Sequence, residues 1–473
     1  MSAYLAPKSL ATPAGILTRA ECEEIARRAL SFSTADETRV SINSAARADT
    51  RFAINQVTTS GENRDATVTI TANVGGRLAS VTTNRLDEAS LAAAAKQASE
   101  IARLSPVNPE RMPELGPQQY PPARQRELAL PTPAERATAA KQVTERARAV
   151  GLIATGFIEA RVGATCLANS KGLFAYDSSA VVTMTATVRS ADGTGSGWAC
   201  SDGNSFAEID AEHVAATAVE KARTSRDPVA IEPGRYPTIL EPTAVGNLVQ
   251  LIAQAMQARA ADEGRSFFSK PGGGNKIGMK VVDERITLLS DPADSPSTSG
   301  GYDGDGEPMQ RVVWIENGVV RNLSYDRYWA QRQGKEPTHA GGGGGGGFGF
   351  GFGGGTRTLR MAGGTSSVPE MVRNTERGVL VTRFWYIRAV DPRTILYTGL
   401  TRDGTFLVEN GKVTKPVKNF RYNESPIFML NNLEALGPAV RVNASEALGA
   451  GGVTIMPAVK VREFTFSSLS DAV

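Results

Sequence analysis

One repeat narrows the possible folds more than any other feature of this chain. "ATVTITANV" at 66–74 matches "AVVTMTATV" at 180–188 at a shift of 114, and the same shift carries Asn55 onto Asn169. Each copy sits in the same surroundings. A Thr-x-x-Glu capping box opens a helix ("TRAE", then "TPAE" with Pro133 at the first helical position), because threonine oxygen and glutamate carboxylate satisfy otherwise orphaned N–H groups. Apolar residues then alternate with polar ones, the period of half-buried strands. In the first copy this predicts a helix at 19–31, strands near 38–45, 51–57, 66–74 and 77–83, and an Ala-rich helix at 88–104. In the second, strands are expected near 156–167, 172–177, 180–190 and 194–200, before a helix at 210–224. The reading is a duplicated α–β4–α unit, against the plainer alternative that two alternating strands match by chance.

Between the copies, "SPVNPERMPELGPQQYPPARQRELALPTP" (105–133) holds eight prolines. Proline fixes φ and removes a donor, so this segment is read as an extended linker. From about 233 the chain is β-rich. Asn-Gly or Asp-Gly pairs in "WIENGVV", "TRDGTF" and "LVENGKV" predict type I′ hairpins, since both central residues need positive φ. Short helices are expected near 326–333, ending at Gly334, and near 369–377. The fold class is α+β: a two-part N-terminal α/β region followed by a β-rich C-terminal domain with an antiparallel sheet. Domains are placed at 1–110, 111–232 and 233–473.

Composition excludes more than it selects. Lys and Arg exceed Asp and Glu by 52 to 49 with no basic run, so no nucleic-acid partner is implied. No run is apolar enough to span a membrane, and the opening residues make a poor secretory signal. Cys22, Cys166 and Cys200 are far apart with no CxxC pair, which fits buried thiols in a reducing cytoplasm.

Few residues offer chemistry. The glycine-rich "HAGGGGGGGFGFGFGGGT" (339–356) lacks the Gly-Lys-Ser/Thr ending of a phosphate loop and is read as a mobile surface loop. The only histidines are His213 and His339, both expected on the surface, and H-E-x-x-H is absent. No serine sits in a G-x-S-x-G elbow. "SGGYDGDGEP", with Asp303, Asp305 and Glu307, departs from a calcium loop and is expected to be a solvated turn.

Several phrases together resemble one family, TldD/PmbA. They are "RFAINQVTTSGENRDATVTITANVGGRLASVTTNRLDEASL", "ANSKGLFAYDSSAVVTMTATV", "PGRYPTILEPTAVGNLV", "EGRSFFSK", "YDGDGEPMQRVVWIENGVVRNLSYDRYWAQRQGKEPTHA", "ERGVLVTRF" and "VENGKVTKPVKNFRYNES". They cover residues 20 to 470 in order. The resemblance implies a cytosolic protease system of two related subunits acting on unfolded or ribosomally made peptides. One subunit type holds zinc with H-E-x-x-x-H on a helix and a late cysteine; the other, PmbA-like (TldE-like), has the same fold without those ligands. With Gly246 in the place of the glycine before the metal helix, the ligand letters fall on Gln250, Leu251 and Ala255. No histidine lies anywhere in 240–259, and no cysteine follows Cys200. Amide and alkyl groups do not replace imidazole and thiolate as zinc ligands.

That helix carries an apolar stripe (Val245, Leu248, Val249, Ile252, Ala255, Met256) beside an amide stripe (Asn247, Gln250, Gln254, Gln257). The stripe suits a subunit contact or cavity wall, or equally a partly buried helix. The expectation is therefore a metal-free subunit, with no catalytic or metal residue of its own and no cofactor in this chain. Its partner would be a zinc-bearing TldD-like paralogue, its substrate a peptide, and its assembly a hetero- or homodimer. Candidate peptide or partner contacts are Asn247, Gln250, Gln254, Arg265, Ser266, Asp303, Asp305, Arg311, Tyr325, Arg327 and His339. Two alternatives stay open: an independent metallohydrolase using His339 and the 303–307 loop, and a self-associating peptide-binding protein.

Overall fold

Both capping boxes close as the sequence predicts. Thr18 and Thr132 each accept from the N–H of the glutamate three residues on, and that glutamate reaches back to the threonine backbone. The computed structural model describes residues 15–121, 128–294, 301–339, 358–442 and 453–470. The glycine run at 341–355 and residues 122–127 of the proline-rich segment lie outside these.

The first unit runs α1 (Arg19–Ser31), β1 (Glu37–Ala53), β2 (Gln56–Val74), β3 (Arg77–Thr83) and α2 (Glu88–Leu104). The second repeats this order with α3 (Pro133–Ala149), β4 (Leu152–Asn169), β5 (Phe174–Ser190), β6 (Ser196–Gly203) and α4 (Ala211–Thr224). Each unit thus has three strands, not the four expected. The apparent break at 46–50 stays paired to both neighbouring strands, and 178–179 stays paired to β4. At 46–50 Ala46 and Ala48 face inward while Arg47 and Asp49 face outward, and 178–179 are both serine, so the hydrophobic contrast fades while the backbone ladder continues.

The two units share one sheet in the order β3-β2-β1-β4-β5-β6. The register shows the duplication and amends it. Arg47 lies opposite Arg161, 114 positions later, yet Ile42 pairs with Val68 while Gly156 (42 + 114) pairs with Ala186, a shift of 118. The longer second hairpin turn accounts for the slip, so one shift cannot hold on both strands. Even-numbered residues of β1 and β4 pack beneath the four helices. The odd-numbered face is open, and Arg39 stands at its end.

The C-terminal part begins with β7 (Gly234–Leu240), α5 (Pro242–Ala255) and α6 (Ala258–Asp262). Then come β8 (Leu288–Ser290), β9 (Val312–Glu316), β10 (Val319–Val320), α7 (Arg327–Gln333), β11 (Leu359–Met361) and α8 (Val368–Arg373). The chain finishes with β12 (Arg377–Asp391), β13 (Leu396–Glu409), β14 (Lys412–Pro416), β15 (Phe420–Glu424), α9 (Pro426–Asn431), β16 (Leu433–Val442) and β17 (Thr454–Leu469). Its sheet is mostly antiparallel, with parallel pairings between β7 and β12 and between β11 and β17. Strands β17, β15, β13, β12 and β7 close into a ring, because β17 also pairs with β7. Phe384, Phe420, Tyr422, Phe464 and Phe466 stack in one cluster with the apolar stripe of α5.

Of the three predicted hairpin turns, two form. Asn317-Gly318 joins β9 to β10 and Asn410-Gly411 joins β13 to β14, all at positive φ. Asp403-Gly404 does not turn the chain. It is a bulge inside β13, with φ of 55° and 125°, where the partner register slips between Val381 and Arg383. Asp-Gly supplies positive φ, and either device uses it.

Candidate functional site

Two places answer the sequence's questions: helix α5 and the loop around Asp303. Pro242 occupies the first turn of α5, and Glu241 precedes it in extended geometry. Val245, Leu248, Val249, Ile252 and Met256 are all fully buried. Asn247 is 1% exposed, and its side-chain oxygen accepts from the N–H of Phe384 in β12 at 3.1 Å. Its amide is therefore committed to the fold, which corrects its reading as a peptide or partner contact. Gln250 is half-buried and donates to Asn247 O. Gln254 buries an amide nitrogen with no partner among the described residues. Leu251, one of the positions on which the resemblance places the ligand letters, is 3% exposed and packed in the core. Helix α5 carries no histidine, cysteine, aspartate or glutamate, so its side chains do not fit a zinc ion.

Past α5 the chain is tied into the second place. Ser266 is buried and donates to Ala255 O at the end of α5, a structural cap that corrects its reading as a contact residue. Ser324 donates its backbone N–H to Met256 O, and Thr338 donates to Tyr325 O on the other side. Tyr325 is buried, its hydroxyl accepting from Asn275. It too belongs to the framework.

Residues 301–309 form a small closed hairpin. Asp303 N–H donates to Glu307 O at 2.9 Å, Gly306 N–H to Asp303 O at 3.0 Å, and Met309 N–H to Gly301 O. Asp303 is 8% exposed, which corrects the expectation of a solvated turn. Its Oδ1 accepts two backbone bonds, from Asp305 at 2.9 Å and Glu307 at 3.0 Å. Its Oδ2 lies 3.6 Å from Nδ1 of His339. The same nitrogen is 2.8 Å from Glu307 Oε2. His339 is thus largely buried rather than on the surface, and its carbonyl is held by Gln310 N–H. The carboxylates of Asp303 and Glu307 raise its pKa to about 9. Burial raises the carboxyl of Asp305, with Arg39 opposing.

The hairpin rests on the first sheet. Arg39 at the end of β1 donates to Gly304 O at 3.0 Å, pairs with Asp305 at 3.5 Å, and binds Glu114 at 3.1 Å. Tyr120 donates to Gly306 O at 2.6 Å, and Tyr302 to Thr165. Gly306 takes φ of 90°, and a Cβ there would stand 2.8 Å from Leu173. Arg327 donates to Pro113 O, so the segment after α2 is clamped rather than a free spacer. Of the predicted residues, the structure brings Asp303, Asp305 and His339 together, with Arg327 nearby. Arg265 pairs with Glu263, and Arg311 with Asp291, both on the exposed surface. Sequence reasoning left Glu307 and Arg39 out of the candidate contacts. The Asp-x-Asp-x-Glu spacing could have supplied Glu307; nothing in the sequence pointed to Arg39.

Comparison with known proteins decides the family. The chain matches the PmbA/TldA metallopeptidase domain 1 over 40–102, its central domain over 117–226 and its C-terminal domain over 233–468.

The chain belongs to the PmbA/TldD family.

Among its relatives is a metalloprotease TldD homolog of Buchnera aphidicola, 24% identical over 251 residues, which are 53% of this chain and 50% of that protein. A zinc metalloprotease TldD homolog of Saccharolobus solfataricus is 25% identical over 215 residues, 43% of this chain and 44% of that one. The chain spans about half the length of the curated relatives it matches. TldE from Thermococcus kodakarensis has the same fold, with a TM-score of 0.80 at 19% identity, over 94% of this chain and 99% of that one. A crystal structure titled a putative modulator of a DNA gyrase, from Thermotoga maritima, superposes with a TM-score of 0.76 at 20% identity, over 94% and 100%. Within the PmbA/TldD family, then, this chain shares the fold of both solved structures over 94% of its length.

Proposed function

We propose that this chain is the metal-free, TldE-like subunit of a PmbA/TldD-type metallopeptidase complex that processes or degrades peptides. One observation carries the reading: the helix that opens the C-terminal domain is filled with Leu251, Ile252 and an amide bonded to β12, and offers no imidazole, carboxylate or thiolate. A zinc-dependent hydrolase needs about three such ligands around an open position. The catalytic ion therefore comes from a paralogue carrying H-E-x-x-x-H, with this chain helping to enclose the substrate. The closed ring β17-β15-β13-β12-β7 leaves short strands such as β10 and β14 as edges on which an extended peptide could add.

The test is co-expression with such a paralogue in cytoplasm. Peptide cleavage should need both chains, and should vanish when the paralogue's glutamate is replaced. Chelator-sensitive cleavage by this chain alone would sink the proposal in favour of an independent hydrolase. Recovery solely as a self-associated species, with the paralogue present, would favour the non-enzymatic binding protein.

A further inference from the structure

We propose that Asp303, Glu307 and His339 bind one divalent first-row cation, at a place separate from the family's metal helix. The ion would fasten the 301–309 hairpin to the chain at His339. The inference does not rest on the proposed subunit role, since it concerns the isolated chain.

Four observations carry it. First, two stretches more than thirty residues apart bring one ligand atom from each of the three side chains within 4.8 Å of one another. Second, Glu307 Oε2 and His339 Nδ1 are sealed from solvent and face each other as an ion pair at 2.8 Å, yet among the described residues neither makes a well-aligned hydrogen bond. Buried polar atoms are nearly always hydrogen-bonded, and an ion seated between these side chains would satisfy both atoms.

Third, Asp303 is preset. The two backbone N–H groups on its Oδ1 fix the carboxylate and leave Oδ2 towards His339. Outer bonds of this kind orient ligands in metal sites. Fourth, the neighbouring cation is engaged elsewhere: Arg39 pairs with Glu114 and Asp305, not with Asp303 or Glu307. Once the imidazole gives up its proton to bind, the two carboxylates carry the charge that a dication balances.

The donor set selects the ion. Imidazole suits zinc and iron, carboxylate suits manganese and harder ions, and one of the first with two of the second points to Mn²⁺, Fe²⁺ or Zn²⁺. Ligands about 2.0–2.2 Å from such an ion stand roughly 2.8–3.6 Å from their neighbours. The contacts of 2.8 and 3.6 Å lie at those bounds. The other way to fill this space is a protonated imidazole ion-paired with two carboxylates, and the experiment separates the two.

The chain has two histidines, so ¹⁵N-histidine labelling of an untagged, chelator-stripped protein yields two imidazoles, and His213→Gln leaves His339 alone. Adding ZnCl₂ should shift the Nδ1 resonance of His339 and leave that of His213 unmoved. Calorimetry with ZnCl₂ or MnCl₂ should give one ion per chain. Glu307→Gln and His339→Gln should each weaken binding tenfold or more, and abolish any rise in melting temperature with the ion. If neither ion moves the His339 resonance, or if both variants bind as the parent does, the proposal fails. Should a variant not fold, the resonance of the unmutated protein still decides.

Discussion

Replacing Asp403 by Asn tests how the second unit is fastened to the C-terminal ring. Asp403 is 1% exposed and sits in the β13 bulge at φ 55°, a conformation that asparagine also tolerates. The substitution therefore removes the charge without new backbone strain. In the parent, Oδ2 accepts from Arg383 Nε at 2.8 Å and again from its terminal nitrogen, while Oδ1 accepts from Ser196 of β6 at 2.5 Å. The guanidinium lies 4.6 Å from the ring centre of Trp198 and 5.3 Å from that of Trp385. Breaking a buried pair by removing one partner costs about 3–5 kcal/mol, because the other charge stays buried and uncompensated. Asp403→Asn should fall near the lower end, about 3 kcal/mol, since Ser196 keeps an acceptor. Arg383→Met should cost a similar amount, and the double variant clearly less than the two together. Urea unfolding followed by tryptophan fluorescence reads this directly, as two of the chain's four tryptophans flank the pair.

The pH dependence has a definite sign. Burial works to raise the Asp403 carboxyl, but Arg383 and Ser196 outweigh it and hold it below its ordinary value. A depressed folded-state value gives stability that is present above the unfolded pKa of about 3.9 and lost as pH falls through the folded one. The gap between parent and Asp403→Asn should thus persist at neutral pH and close below about pH 4. A cost under about 1 kcal/mol at neutral pH, strict additivity in the double variant, or a gap unchanged by acid would refute the reasoning.

Asn247→Leu should cost about 1–3 kcal/mol in chemical unfolding, because the N–H of Phe384 loses its acceptor in the core; an unchanged midpoint would contradict the role assigned to this amide. Gly306→Ala should loosen the 301–309 hairpin through both its positive φ and the collision with Leu173, seen as faster hydrogen exchange there than in the parent. Asp283→Asn should lose only about 0.5–1 kcal/mol, since the ion pair with Arg285 is partly exposed. Arg285 holds that carboxyl down at about 2, so the loss should be present above about pH 4 and vanish as pH falls towards 2. Cys166 should resist thiol reagents in the native state, because its contact with Cys22 and its burial push the thiol up; rapid labelling of Cys166 would contradict that packing.

What could be read in advance was local chemistry. A threonine followed three residues later by glutamate closes its own helix end, and Asn-Gly carries its own positive φ, so Thr18, Thr132, Asn317 and Asn410 needed no distant partner. The absence of histidine and cysteine from 240–259 was equally plain, as was the family's pattern of phrases. Strand continuity through 46–50 was not, because alanine opposite alanine gives little contrast and the evidence lies in neighbouring strands. Asp403-Gly404 offered a turn or a bulge, and the strand beside it chose. The pairing of Arg39 with Asp305, the burial of Asp303 and the meeting of Glu307 with His339 join residues from 32 to 266 positions apart. Caps and tight turns satisfy their hydrogen bonds within a few residues, so sequence determines them. Ring closure and converging side chains depend on which distant backbones pack together, and only the tertiary structure decides that.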